Sequence, residues 1–197
     1  MSATFTGLGG VVLVWSAALA IPGPDLLALS LSLSGGRRCA FLAVVGITCG
    51  TALWGLACLF GLTVIFATAP WAFVALRCIG AAYLAMLGLN LLRSRGSQDA
   101  RGSLHDPIRC CFCLGFGANL SNPKTVLFFA SLMAGAPGAE AAVVALTTAI
   151  SALGYGALAT AGATQHISEV LARHQITIRR LAGGLFLLLA AMLIAQA

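Results

Sequence analysis

Six apolar segments, drawn at approximately residues 5–34, 40–65, 71–92, 110–135, 140–164 and 180–196, take up most of the 197-residue chain. Each is near or above the roughly 20 residues that a helix needs to cross the hydrocarbon of a bilayer. In lipid every main-chain polar group must find its partner within the protein, which confines such segments to helices. Composition agrees: 60% of the residues are hydrophobic and 8% charged, against about 25% charged in soluble domains. The expected fold class is all-α, a polytopic integral membrane protein forming a single transmembrane domain over residues 1–197. The first segment is read as a retained helix and not a signal peptide, because "MSATFTG" lacks a positive n-region and further spanning segments follow.

The net charge of +6 would suggest nucleic acid in a soluble protein, but no aromatic-basic reading surface accompanies it. Instead, Arg37, Arg38, Arg93, Arg95, Arg101, Arg109, Arg173, Arg179 and Arg180 fall in or beside alternate connections. The other connections and both tails hold no Lys or Arg. Basic loops stay in the cytoplasm, so both termini are predicted outside. The segment "QHISEVLARHQITIRR" from Gln165 reads as a short interfacial helix or an extension of the fifth span. Arg77 lies six residues after Trp71, about 9 Å along a helix. Its long stem can snorkel to the outer interface, or it lines the outer vestibule.

Of the seven cysteines, Cys39, Cys49, Cys58 and Cys78 lie singly in apolar stretches and read as small hydrophobes. Cys110, Cys111 and Cys113 cluster at one membrane edge. A metal site there would need more ligands, of which His105 is the obvious candidate. Packing is the preferred reading, and no metal or cofactor is expected.

A repeat is visible beneath the apolar composition. "RCIGAAYLAMLGLNLL" from Arg77 aligns with "RLAGGLFLLLAAMLIA" from Arg180, matching Gly80 to Gly183 and Tyr83 to Phe186. "PDLLAL" from Pro24 aligns with "PKTVLF" from Pro123, each proline preceding the lone ionisable residue of its span. The halves, residues 1–98 and 99–197, would each hold three spans. An odd number inverts the second half relative to the first, and broken helices at matching positions then mark a transporter site near the midplane.

Pro22, Gly23 and Pro24 should interrupt the first span. In the fourth, Asn122 suits an N-cap and Pro123 the first helical position. Asp25 precedes Arg37 by twelve residues and Lys124 follows Arg109 by fifteen, about 18 and 22 Å if helical. Both charges therefore fall toward the middle of a core about 30 Å thick. Two roles stay open for them: a mutual pair holding the halves together, or a pair that also serves a transported ligand. A half-helix N-terminus with Lys124 would receive a carboxylate, while Asp25 and freed carbonyls would receive an ammonium.

"IPGPDLL", "GITCGTALWGLACLFGL", "RCIGAAYLAMLGLNLLRS" and "GFGANLSNPKTVLFFAS" together resemble the LysE/RhtB family of bacterial amino-acid exporters. The resemblance covers nearly the whole chain. It implies a multi-pass inner-membrane secondary transporter, not an enzyme, that exports an amino acid or related metabolite and is driven by proton influx. Carried over by position, Pro22, Gly23, Pro24, Asp25, Asn122, Pro123 and Lys124 would form the substrate site. Gly46 and Gly50 match the family's second-span glycines, and with Thr51, Arg77, Gly80 and Tyr83 are candidates for helix packing or the pathway. Many relatives carry an acidic or amide residue where this chain has Thr51. The alternative is export of a heavy-metal cation, as in distant members of the superfamily. The expected partners are the substrate, protons and lipid; self-association into a homo-oligomer is left open.

Overall fold

The computed structural model describes residues 8–20, 23–61, 65, 68–93, 107–135, 138–164 and 175–195. Among them are eight helices: α1 (Leu8–Ala20), α2 (Pro24–Leu33), α3 (Arg37–Leu59), α4 (Pro70–Arg93), α5 (Pro107–Leu120), α6 (Pro123–Gly135), α7 (Glu140–Gly162) and α8 (Gln175–Ala195). The two expected breaks are present. α2 starts with Pro24 at its first position, and α1 and α2 are bent by 58° relative to one another. α6 starts at Pro123, directly after a turn at Ser121 and Asn122 that ends α5. Proline has no N–H to lose at a first helical position, so each one begins a half-helix cleanly.

α3 and α7 are 23 residues each, with mean hydropathies of 1.9 and 1.7 over their most apolar 18 residues. At 1.5 Å per residue each reaches about 35 Å, enough to cross a membrane. The bent pair α1–α2 is long and apolar enough to do so jointly. α8 begins five residues before the expected sixth span, so Arg179 and Arg180 belong to its first turns and not to the connection. Residues 165–174, read as an interfacial helix, and the linker at 94–106 lie outside the described residues.

The interior combines apolar clusters with a set of buried polar side chains, and much of the outside is apolar. Asp25, Ser32, Thr51, Asn119, Asn122, Thr125, Thr147 and Ser151 are buried, while Leu13, Ile79, Leu153 and Leu181 stand exposed. An apolar exterior suits lipid, and the buried polar side chains must find their partners within the protein. Hydroxyls along α2 are silenced within the helix, Ser30 and Ser32 donating to the carbonyls four residues back.

α3 packs on α5, α7 and α2, and α4 packs on α8. Small residues let these backbones approach. A Cβ added at Gly46 would run into the main chain of Phe112 and Phe116, and one at Gly115 into that of Ala43. Gly88 and Gly183 play the same part between α4 and α8, where either Cβ would come within 3 Å of the other's carbonyl oxygen. One end of the α3–α5 seam is covalent. Cys39 and Cys111 form a disulfide across a Cα–Cα distance of 5.3 Å, within the usual range. This corrects the reading of Cys39 as a lone small hydrophobe and of Cys111 as simple packing. The α3–α5 crossing brings together two cysteines 72 residues apart.

Two apolar clusters flank the helix breaks. Val11, Trp15, Trp54, Phe129, Met133 and Val143 fill one side. Leu29, Ala40, Val44, Ile47 and Ala159 fill the other.

Candidate functional site

Between those clusters, the broken helices exchange partners. Asp25, in the first turn of α2, is 3% exposed. Its Oδ2 accepts from Asn122 Nδ2 at 3.0 Å, Asn119 Nδ2 at 3.2 Å and the Tyr155 hydroxyl at 3.3 Å. Asn119 and Asn122 come from the end of α5 and the break after it, and Tyr155 from α7. Asn119 Nδ2 also reaches Thr51 Oγ1 at 3.3 Å. Three donors thus converge on one carboxylate oxygen, whereas buried Oδ1 has no donor among the described residues. Buried carboxylates are expensive unless hydrogen-bonded, and this arrangement holds Asp25 by one oxygen while leaving the other oxygen's acceptor capacity for chemistry.

The second break mirrors the first. Asn122 Oδ1 accepts from the main-chain N–H of Lys124 at 3.1 Å, acting as the N-cap of α6 that the sequence suggested. Lys124 Nζ donates to the carbonyl of Ala18 at 2.8 Å. Ala18 is in the last turn of α1, where carbonyls lack a helical donor and a cation is favoured. So α6 supplies the cation that caps α1, while α5 and its break supply amides to the carboxylate of α2.

Asp25 and Lys124 line one cavity with Trp15, Ala18, Leu19, Thr51, Asn119, Thr125, Phe128, Ser151 and Tyr155. Its empty volume is about 260 Å³, open side included. Most of that lies in the open mouth: the enclosed part has room for about one water, so a larger solute needs the helices around it to part. Trp15 forms a wall: its Nε1 donates to Ser151 Oγ at 2.9 Å, and its ring packs against Phe129 at 4.9 Å and edge-on to Phe128 at 6.3 Å.

The sequence-predicted residues divide by position. Asp25, Asn122 and Lys124 are brought together, with Gly23 and Pro24 forming the start of α2 beneath them. Pro123 begins α6. Pro22 and the Arg77 side chain lie outside the described residues. Thr51 reaches the cavity. Gly50 lies against Asn119, where a Cβ would be 2.7 Å from Oδ1. Gly46 serves packing, Gly80 lies against Ser121 at the second break, and Tyr83 donates to the carbonyl of Cys113 at 3.2 Å while lying against Gly117. Asn119, Tyr155, Ser151 and Trp15 were not foreseen. Asn119 sits three residues before Asn122, and Thr147, Ser151 and Tyr155 recur every four residues on α7. Polar residues at helical spacing in an apolar run were the available signal.

A family model described as LysE type translocator matches residues 15–197. The chain belongs to the LysE type translocator family. Its relatives include the threonine efflux protein of Salmonella typhi, 36% identical over 129 residues, and that of Escherichia coli, 31% over 128. An uncharacterized membrane protein of Haemophilus influenzae is 33% identical over 130 residues. Each match covers 62% of this chain and 62% of the relative, so the chain spans under two thirds of the length of the curated relatives it matches. No solved structure matches. In this member of the family, the cavity at the two helix breaks is the candidate functional site.

Proposed function

We propose that this LysE-type chain is a secondary transporter exporting a small neutral amino acid, or a close metabolite, across a bacterial inner membrane in exchange for protons. One observation carries the reading: Asp25 and Lys124 face one small cavity from the starts of two half-helices. A zwitterion carries the complementary pair of charges. Asp25 Oδ1 would receive its ammonium, and the Lys124 end of α6 its carboxylate. The hydroxyls of Thr51 and Ser151 beside these charges favour a short polar side chain, in keeping with relatives named threonine efflux proteins.

Two inverted three-helix repeats are supported by the packing. α4 meets α8 and α3 meets α7, each the counterpart of the other, while α3 against α5 is answered by α7 against α1. Under this reading the Arg-rich edge is cytoplasmic and both termini are outside. Export of a soft metal cation has less support, because two thiols are tied to each other and among the described residues no three His, Cys, Asp or Glu converge.

The test is counterflow in proteoliposomes loaded with a panel of labelled amino acids. Threonine and serine should exchange at least about tenfold faster than lysine or glutamate, since an extra charge in so small a site goes unpaired. Absence of saturable flux for every amino acid would overturn the proposal.

A further inference from the structure

We propose that Cys39 and Cys111 form a thiol–disulfide exchange site for a low-molecular-weight disulfide, and that their bridge locks the transport cycle. This rests on the export reading and its orientation.

The bridge ties the first turn of α3 to the first two turns of α5. From Cys111, one face of α5 continues through Gly115 to Asn119, four and eight residues on. That face runs along α3, with Gly115 on Ala43, Phe112 and Phe116 on Gly46, and Asn119 on Gly50 and Thr51. The seam ends at the amide that holds Asp25. Cys111 and Asn119 are about 12 Å apart along the helix, and the glycines between them leave little side-chain interlocking to resist a slide. A covalent tie at one end therefore fixes the register of Asn119 against Asp25 at the other.

Two further facts point to regulation and not to a permanent staple. The counterpart seam between α1 and α7 rests on the Trp15–Ser151 hydrogen bond and on Leu19 against Gly154, with no covalent tie among the described residues. If the two seams open in turn, bridging one of them stops the cycle. In addition, Arg37 and Arg38 immediately precede Cys39, which puts the bridge at the edge that the positive-inside rule assigns to the cytoplasm. Disulfides in that compartment are transient or redox-sensing. Cys110 and Cys113 remain free thiols.

The chemistry balances by exchange. The thiolate of half-buried Cys39 attacks a small disulfide R–S–S–R, forming a mixed disulfide and expelling RS⁻. Cys111, deprotonated, attacks the Cys39 sulfur and expels the second RS⁻. The two protons lost by the cysteines end on two R–SH, and the small disulfide is the species reduced. A reduced small thiol runs the sequence backwards.

The experiment uses the full chain in growing cells and then in proteoliposomes. After denaturation, a mass-tagged maleimide should add to seven cysteines in unstressed cells, and to five after treatment with a diazene thiol oxidant, the five being those free in the bridged form. Bridging should lower threonine efflux within the roughly 5–150-fold range of coupled two-state systems, and dithiothreitol should restore it. The Cys39→Ser, Cys111→Ser double variant should export without responding to oxidant, whereas Cys110→Ser, Cys113→Ser should respond like the parent. A chain bridged in unstressed cells, or one that exports equally fast bridged and reduced, overturns the proposal. If no form exports any amino acid, the export reading fails on its own. The clasp is then judged by hydrogen exchange over residues 112–119: faster exchange on reduction upholds it, and no change overturns it.

Discussion

Lys124 Nζ donates a 2.8 Å hydrogen bond to the main-chain oxygen of Ala18, joining the start of one half-helix to the end of the other. The same ammonium faces the cavity that Asp25 lines. Its removal therefore does two things: a carbonyl at the end of α1 loses its donor, and Asp25 loses the neighbouring positive charge.

Replacing Lys124 with Met should accordingly lower both membrane abundance and efflux. The double variant Asp25→Asn, Lys124→Gln separates structure from transport, because it leaves no lone buried charge. It should reach the membrane at near-parental levels and fail to export. Quantitative immunoblotting beside counterflow checks this. Strong efflux from the abundant double variant would reduce the two residues to a structural pair.

Asn119 is the residue through which α5 reaches Asp25 and Thr51 at once. A hydrogen bond to a charged group contributes about 1.5–3 kcal/mol and a neutral one about 0.5–1.5. Asn119→Ala should lower kcat/KM for efflux roughly 10–150-fold, and Thr51→Val roughly 2–12-fold. Initial-rate counterflow at matched abundance measures both, and a larger loss at Thr51 would reverse the assigned hierarchy.

Much of this site was legible in the sequence because its causes are local. Pro24 and Pro123 break helices by their own covalent structure, and Asn122 caps α6 through a bond to a residue two positions on. Tyr155 and Ser151 were not legible, because their partners Asp25 and Trp15 lie 130 and 136 residues away. Spacing shows that they share a face of α7, but only the packing of α7 decides what that face meets. The disulfide was hidden for a similar reason. Seven cysteines admit many pairings, and spacing does not choose among them.

Trp15 offers a test of how the cavity wall is held. Trp15→Phe keeps an aromatic ring against Phe128 and Phe129 but removes the donor to Ser151. Ser151→Ala removes the acceptor. Each should cost about 0.5–1.5 kcal/mol, and the pair together little more than either alone, since both delete one bond. Thermal unfolding in detergent for the four members of the cycle measures this coupling. Additive losses would mean that the bond contributes nothing beyond the separate packing of each side chain.

Three glycines separate packing from function. At Gly46 an added Cβ would collide with main-chain atoms of α5, which cannot swing aside, so Gly46→Ala should force the two helices apart. Overpacking of this kind costs roughly 1–3 kcal/mol, and membrane abundance should fall. At Gly50 the Cβ would instead meet the Asn119 side chain, 2.7 Å from Oδ1 and 3.0 Å from Cβ. The amide end can turn aside, while Cβ moves only with α5 and by a few tenths of an ångström, so Gly50→Ala should lose less abundance than Gly46→Ala. Asn119 would be displaced from Asp25, however, and efflux should fall toward the level of Asn119→Ala. At Gly156 a Cβ meets nothing within 4 Å, and alanine is the better helix former by about 1 kcal/mol; Gly156→Ala should match the parent in both measurements. If Gly50→Ala exported as well as Gly156→Ala at equal abundance, the contact between α3 and Asn119 would have no part in holding Asp25 for transport.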